Sequence, residues 1–190
     1  MKKILFISSR PLYPIIGGDQ IRTVQQLCLL EKDFIVDVLY LTNEIENEDF
    51  YSKHSNVRNI YSFHIRKYMN YIQTLRFLFN RLPLQVNYYL NRRVRNFINT
   101  IISNYDAVFC NNIRTAEYGI NAPIIRYLDF VDAISMNYDK ARKEAKGLKK
   151  IIYELDYRRC KEYEKKCLYN FDSCAVISDI DNQYITKWQK

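Results

Sequence analysis

The sequence predicts an α/β fold: a mainly parallel sheet covered by helices on both faces. Three observations predict it. Short apolar runs recur along all 190 residues, and helical periodicity fills the gaps between them. The first run, Lys3-Ile4-Leu5-Phe6-Ile7-Ser8, leads through Pro11 and Pro14 to the pair Gly17-Gly18 and then a helix. No internal repeat or low-complexity linker interrupts the alternation, so residues 1–190 read as one domain.

Taken in order, residues 3–8 read as a buried strand and 19–31 as a helix with Ile21, Val24, Leu27 and Cys28 on one face. Residues 35–41 form a second strand, 43–56 a polar loop, and Val57–His64 a third strand. From Arg66 to Leu82 the apolar positions 68, 71, 72, 75, 78, 79 and 82 repeat with helical spacing, which predicts an amphipathic helix. Pro83 separates it from a second helix reaching about Ser103. Residues 107–110 and 124–128 are strands. Gly147 breaks the charged segment 139–150, a long helix runs to about Tyr169, residues 173–177 are the last strand, and 180–188 close the chain with a helix.

Composition excludes several classes. The hydrophobic share of 48% supports a normal soluble core. Five scattered cysteines, odd in number and without metal-ligand spacing, read as reduced thiols of a cytoplasmic protein. His54 and His64, the two histidines, have no metal partner in sequence, so no metal site is expected. Arg10 cuts the first apolar run too early for a signal peptide, and no run reaches membrane-span length. Gly-x-Gly-x-x-Gly and Gly-Lys-Ser/Thr loops are both missing, against a dinucleotide cofactor or a P-loop.

The net charge of +8 is local. No acidic residue lies between Asp49 and Asp106, where Lys53, Arg58, Arg66, Lys67, Arg76, Arg81, Arg92, Arg93 and Arg95 fall. Interleaved with Tyr68, Tyr71, Phe77, Phe79, Tyr88, Tyr89 and Phe97, they suit docking on an anionic membrane surface. Arg66, Lys67, Arg76, Arg81, Arg92 and Arg93 are the candidate contacts; the alternative is a solvated face over a core-facing apolar stripe. Nucleic acid is not expected as a partner, because no helix-turn-helix, zinc-finger or RNA-binding signature accompanies the charge.

Two stretches hold the candidate chemistry. Gly17 and Gly18, with their freedom for positive φ and close approach, precede Asp19 and Arg22, which sit at a helix start where an anion or sugar binds; the alternative is a simple sharp turn. Asp129 and Asp132 follow the strand 124–128 at the edge where open sheets gather ligands. Asp129 is placed to accept sugar hydroxyls or to steady a developing positive charge, while Asp132 has a helix cap as its plainer alternative.

Three stretches resemble one family. Pro11-x-x-Pro14-x-x-Gly17-Gly18-Asp19-x-x-Arg22 resembles the opening of family 4 glycosyltransferases of the two-domain GT-B type. Asp129-Phe130-Val131-Asp132-x-x-Ser135 is similar to a segment of its bacterial exopolysaccharide and capsule branch. Tyr157-Arg158-Arg159, Tyr163-Glu164 and Phe171-Asp172-Ser173-x-Ala175-Val176-Ile177-Ser178 resemble the passage that closes the N-terminal domain.

The resemblance implies a Rossmann-like acceptor-binding half of a retaining transferase. Gly17, Gly18, Asp19, Arg22 and Asp132 would contact substrate. Asp129 would take the catalytic position, where many relatives carry a cleft histidine or aspartate. The acceptor would be lipid-linked or a saccharide, at the inner membrane face. The donor would be a nucleotide-sugar used as a substrate, with no resident cofactor. The donor-binding C-terminal domain has no counterpart in residues 1–190, so this chain alone is expected to be inactive and to need a separate or missing donor domain.

Overall fold

The runs Ile4–Ile7 and Val38–Leu41 are apolar at every position, and that composition demands a sheet buried on both sides. In the computed structural model, which describes residues 1–43 and 54–187, six parallel strands satisfy it. They are β1 (Lys3–Ser8), β2 (Ile35–Thr42), β3 (Val57–His64), β4 (Ala107–Asn111), β5 (Ile125–Asp129) and β6 (Ser173–Ala175), in the order β3-β2-β1-β4-β5-β6. The register sets Ile4 beside Val36 and Ala107, and Ser8 beside Tyr40 and Asn111. The helices are α1 (Gly18–Leu30), α2 (Lys67–Thr74), α3 (Leu84–Tyr89), α4 (Arg92–Ile101), α5 (Ala116–Gly119), α6 (Ile134–Glu144), α7 (Gly147–Asn170) and α8 (Asp179–Thr186).

Side-chain alternation divides the core. Leu5, Ile7, Leu39, Val108, Cys110 and Leu128 point to one face, under α3 to α8. Ile4, Phe6, Val36, Val38, Tyr40 and Phe109 point to the other, where Leu27 of α1 joins them. On that thinner face Phe6, Phe109 and Tyr127 stack across β1, β4 and β5, with ring centroids 4.8 and 4.6 Å apart.

The fold class and the strand positions follow the sequence reading closely; β6 stops at Ala175, two residues short. Most of the predicted polar loop, and Lys53 with it, lies outside the described residues. Three helical readings need correction. The segment 66–82 is α2 followed by a 3-10 turn at Leu75–Leu78. The segment after Pro83 divides at Leu90, because Leu90 is extended and Asn91 caps α4 by accepting from the Arg93 and Val94 amides. Gly147 opens α7 with a positive φ of 59° instead of merely breaking a charged run.

The orientation of this segment decides between the two readings of its apolar stripe. Asn70, Gln73 and Phe77 are the buried residues of this segment. The apolar stripe faces outward, against the core-facing alternative: Tyr68, Tyr71, Ile72, Leu75, Leu78 and Phe79 are 53% to 89% exposed. Of the stripe, Leu82 alone packs against the core. Phe77 is held by Arg159, which lies 3.8 Å over its ring and donates to its carbonyl at 2.6 Å.

One glycine is required by close packing. A Cβ on Gly119 would lie 2.6 Å from Cys110 Sγ and 3.3 Å from Val108 Cγ1. Gly119→Ala is expected to destabilise by about 1–3 kcal/mol through overpacking. Gly18→Ala meets nothing within 4 Å and is expected to change stability by less than about 1 kcal/mol. Urea denaturation of the two variants checks the contrast.

Candidate functional site

The strand order reverses between β1 and β4. Connections leaving the two strands diverge there, and a crevice opens over their C-terminal ends. Ser8, Ser9, Arg10, Asp19, Gln20, Thr23, Asn111, Asn112, Arg114 and Val131 surround it. It is narrow, about 10 Å³, so a ligand the size of a sugar would rest on its rim.

Gln20 shapes the glycine loop. Its Oε1 accepts from the Ile16 and Gly17 amides at 2.8 and 3.3 Å, and its Nε2 donates to the Pro11 carbonyl at 3.1 Å. Gly17 is the N-cap of α1 and extended, with φ −139°. Positive φ is therefore not what either glycine supplies; Gly147 is the glycine that has it. Gly18 contributes open space above the first turn of α1. Asp19 pairs with Arg10 across the loop.

Arg22 and Asp129, 107 residues apart in sequence, form a two-pronged ion pair. Arg22 Nε donates to Asp129 Oδ2 at 2.9 Å and Nη2 to Oδ1 at 3.2 Å. Gln26, one turn after Arg22 on the same helix face, also donates to Oδ2, and the Val131 amide donates to Oδ1 at 3.1 Å. The Asp129 side chain is 0% exposed, whereas that of Arg22 is 30% exposed. Hydrogen bonding to Asp129 pushes the Arg22 guanidinium up from its usual range, fixing its charge. Gln26 Oε1 accepts from Asn111 Nδ2 at 3.0 Å, and Thr23 Oγ1 lies 3.2 Å from Asn111 Oδ1. One polar network thus ties α1 to the ends of β4 and β5.

Backbone strain collects beside it. Asn112 and Val131, directly after β4 and just after β5, have φ of 72° and 68°. For a β-branched residue such a φ is an outlier, and each non-glycine case costs about 1–3 kcal/mol. Asn112 N–H donates to the Asp129 carbonyl at 2.8 Å, and Ile177 N–H to the Val131 carbonyl at 3.0 Å. These bonds hold both residues on the rim of the crevice.

Asp132 stands apart from the network and accepts from Asn137 Nδ2 at 2.6 Å. It is not the cap of α6, whose N-cap is Ala133. Distant carboxylates satisfy that helix end: Asp181 accepts from the Ala133 amide at 2.9 Å, and buried Glu164 accepts from the Ser135 amide at 2.8 Å and from the Ser135 hydroxyl. Ser135 and Glu164 belong to two of the stretches quoted above, and they prove to be one interaction.

The six basic candidates lie elsewhere. All are exposed, and among the described residues none pairs with a carboxylate. Arg66, Arg76, Arg92 and Arg93 converge on a cleft of about 480 Å³ beside Met69 and Ile72. Lys67 borders a neighbouring cleft near Tyr13 and Thr42. Two other cations of the segment are neutralised, Arg58 by Asp37 and Arg95 by Glu117.

Gln26, Asn111, Asn112 and Arg114 were not legible as site residues. The Arg22–Gln26 spacing of one turn and the Asn-Asn pair at a strand end are the signals that could have found three of them.

No family model and no curated protein matches the chain in sequence. Among solved structures it superposes on sucrose-phosphate synthase from Thermosynechococcus elongatus with a TM-score of 0.62 and 16% identity, over 99% of this chain and 45% of that one. The chain has a Rossmann-like α/β fold that matches one GT-B half domain. It also aligns with TcCGT1, solved in complex with UDP, with a TM-score of 0.39 and 11% identity over 77% of this chain and 33% of that one. It therefore spans less than half the length of either neighbour.

Proposed function

We propose that the chain is the acceptor-side domain of a retaining, family 4-like glycosyltransferase of surface polysaccharide synthesis. A nucleotide-sugar donor would be held by a second domain, on this chain's continuation or on a separate one. The observation that carries the reading is the crevice at the β1/β4 reversal, rimmed by strained Asn112 and Val131 and by the open first turn at Gly18. In this reading Gly17, Gly18, Asp19, Arg22 and Asp132 border the acceptor. Arg22 engages Asp129 through Nε and Nη2, and among the described residues Nη1 donates to no protein group, so it can meet an anionic acceptor group. Asp129, sealed from solvent, serves the reaction by aiming Arg22.

The test is amide-resolved NMR on the 190-residue chain. Farnesyl diphosphate, a short lipid diphosphate, is expected to shift Gly18, Asn112 and Val131, while UDP leaves them in place. Shifts confined to residues far from the crevice would refute the acceptor reading.

A second, non-catalytic reading is a basic module that binds a membrane surface or a partner subunit, and the outward face of α2 favours it. Burying Asn70 and Gln73, each with a side-chain oxygen lacking a hydrogen-bond partner, while exposing six large apolar side chains is unfavourable in water. An anionic bilayer reverses that balance by taking up the apolar row, with each unpaired cation nearby contributing about 1 kcal/mol. No helix among the described residues is long and apolar enough to cross a membrane, so attachment would be peripheral, at the inner face. The two readings are compatible. Wild-type protein is expected to sediment with anionic vesicles and not with neutral ones, and Leu75→Glu/Phe79→Glu is expected to abolish sedimentation. Equal binding to both vesicle types would count against the surface.

A further inference from the structure

His54 has no ligand partner nearby in sequence, yet folding supplies two. Cys28 lies in the last turn of α1, and Glu31 is its C-cap three residues on, so both side chains leave the helix on one side. His54 approaches from just before β3. One ligand atom from each, Cys28 Sγ, a Glu31 carboxylate oxygen and a His54 ring nitrogen, all lie within 4.8 Å of one another. A tetrahedral zinc ion bound to sulfur and nitrogen at about 2.3 and 2.0 Å separates its ligands by about 3.5 Å. A small inward movement of three side chains therefore closes the set.

Two further observations point to a cation. Glu31 Oε2 is buried and has no hydrogen-bond partner, an arrangement that a bound metal satisfies. His54 Nδ1 lies 3.0 Å from Glu31 Oε1, and Nε2 lies 2.8 Å from the Tyr13 hydroxyl. A histidine ligand ordinarily hands its second ring N–H to an oxygen that fixes tautomer and orientation, and Tyr13 stands where that oxygen is needed.

We propose that Cys28, Glu31 and His54 form a zinc site, with water in the fourth position and Tyr13 as the positioning residue behind His54. The mixture of thiolate, imidazole and carboxylate suits Zn²⁺ among divalent metals. Binding exchanges water ligands of the hydrated ion for Zn–S, Zn–O and Zn–N bonds, and the displaced waters return to solvent. The Cys28 thiol loses its proton to solvent, and the neutral imidazole carries its proton on Nε2, donating to Tyr13. Zinc takes the thiolate, so one proton leaves for each ion bound. The ion would join the end of α1 to the entry of β3 and, through Tyr13, to the loop that precedes Gly17.

The test is calorimetric titration of the untagged chain with Zn²⁺ in buffers of different ionisation enthalpy, paired with alkylation mapping. One equivalent is expected to bind with release of one proton, and Zn²⁺ is expected to protect Cys28 but not Cys174 from iodoacetamide. Cys28→Ser and His54→Ala are expected to abolish stoichiometric binding. Tyr13→Phe retains all three ligands and is expected to weaken binding by about 10–100-fold. Unchanged affinity in His54→Ala, several weak equivalents, or equal protection of both cysteines would overturn the proposal.

Discussion

Asp129→Ala is expected to destabilise the fold by about 3 kcal/mol, at the lower end of the range for breaking a buried ion pair by removing one partner. The carboxylate accepts from Arg22, Gln26 and the Val131 amide while fully buried. Alanine leaves all three donors facing an apolar void. Arg22 is partly exposed and regains water, which keeps the loss from reaching the upper end. The Val131 amide has no such recourse, and the strained φ that it stabilises is expected to relax. Urea denaturation measures the cost. The double variant Arg22→Met/Asp129→Leu, which removes both charges, is expected to recover much of it. A loss below about 1 kcal/mol in the single variant would mean that the network does not secure the crevice. Under the proposed acceptor-side reading, the same Asp129→Ala change in an enzyme carrying a donor domain is expected to lower turnover, since it releases Arg22.

Glu164 gives the second large effect, read against pH. It is 2% exposed, and burial pushes its carboxyl up to about 7 despite the hydrogen bonds from Ser135 that favour the charged form; Asp132 nearby raises it further. The unfolded chain ionises this group near its ordinary value of 4.5. Between those two pH values the folded state holds the extra proton, so stability is full below about 4.5 and falls as pH rises toward 7. At about 1.4 kcal/mol per pKa unit, the contribution is roughly 3 kcal/mol. Glu164→Gln keeps an acceptor for the Ser135 amide and removes the titration. The stability difference between wild type and Glu164→Gln is therefore expected to move by roughly 3 kcal/mol in favour of the variant between pH 4.5 and pH 8. Parallel pH profiles would show that Glu164 ionises without penalty.

The central strands were legible because a sheet buried on both sides writes itself as apolar runs, as in Ile4–Ile7 and Val38–Leu41. Asp129 was legible as a strand-end residue. Its partner was not, because nothing local links Arg22 to a carboxylate 107 residues away. The glycine loop was found for a partly mistaken reason: its glycines have ordinary φ, and the positive values fall on Asn112 and Val131. Asn tolerates that region, but valine gives no warning of it. The helix at 67–74 exposes a limit of periodicity itself. A 3.6-residue repeat shows that a helix has two unlike faces and is silent about which of them meets the protein. Asn70 and Gln73 turned inward, and the aliphatic and aromatic side chains turned out.

That reversal separates two kinds of selection. Leu75, Leu78 and Phe79 contribute little to the interior, so the fold is nearly indifferent to their identity. The row from Tyr68 to Phe79 is therefore free to change with whatever the surface touches, without disturbing the crevice that α1, β4 and β5 hold in place.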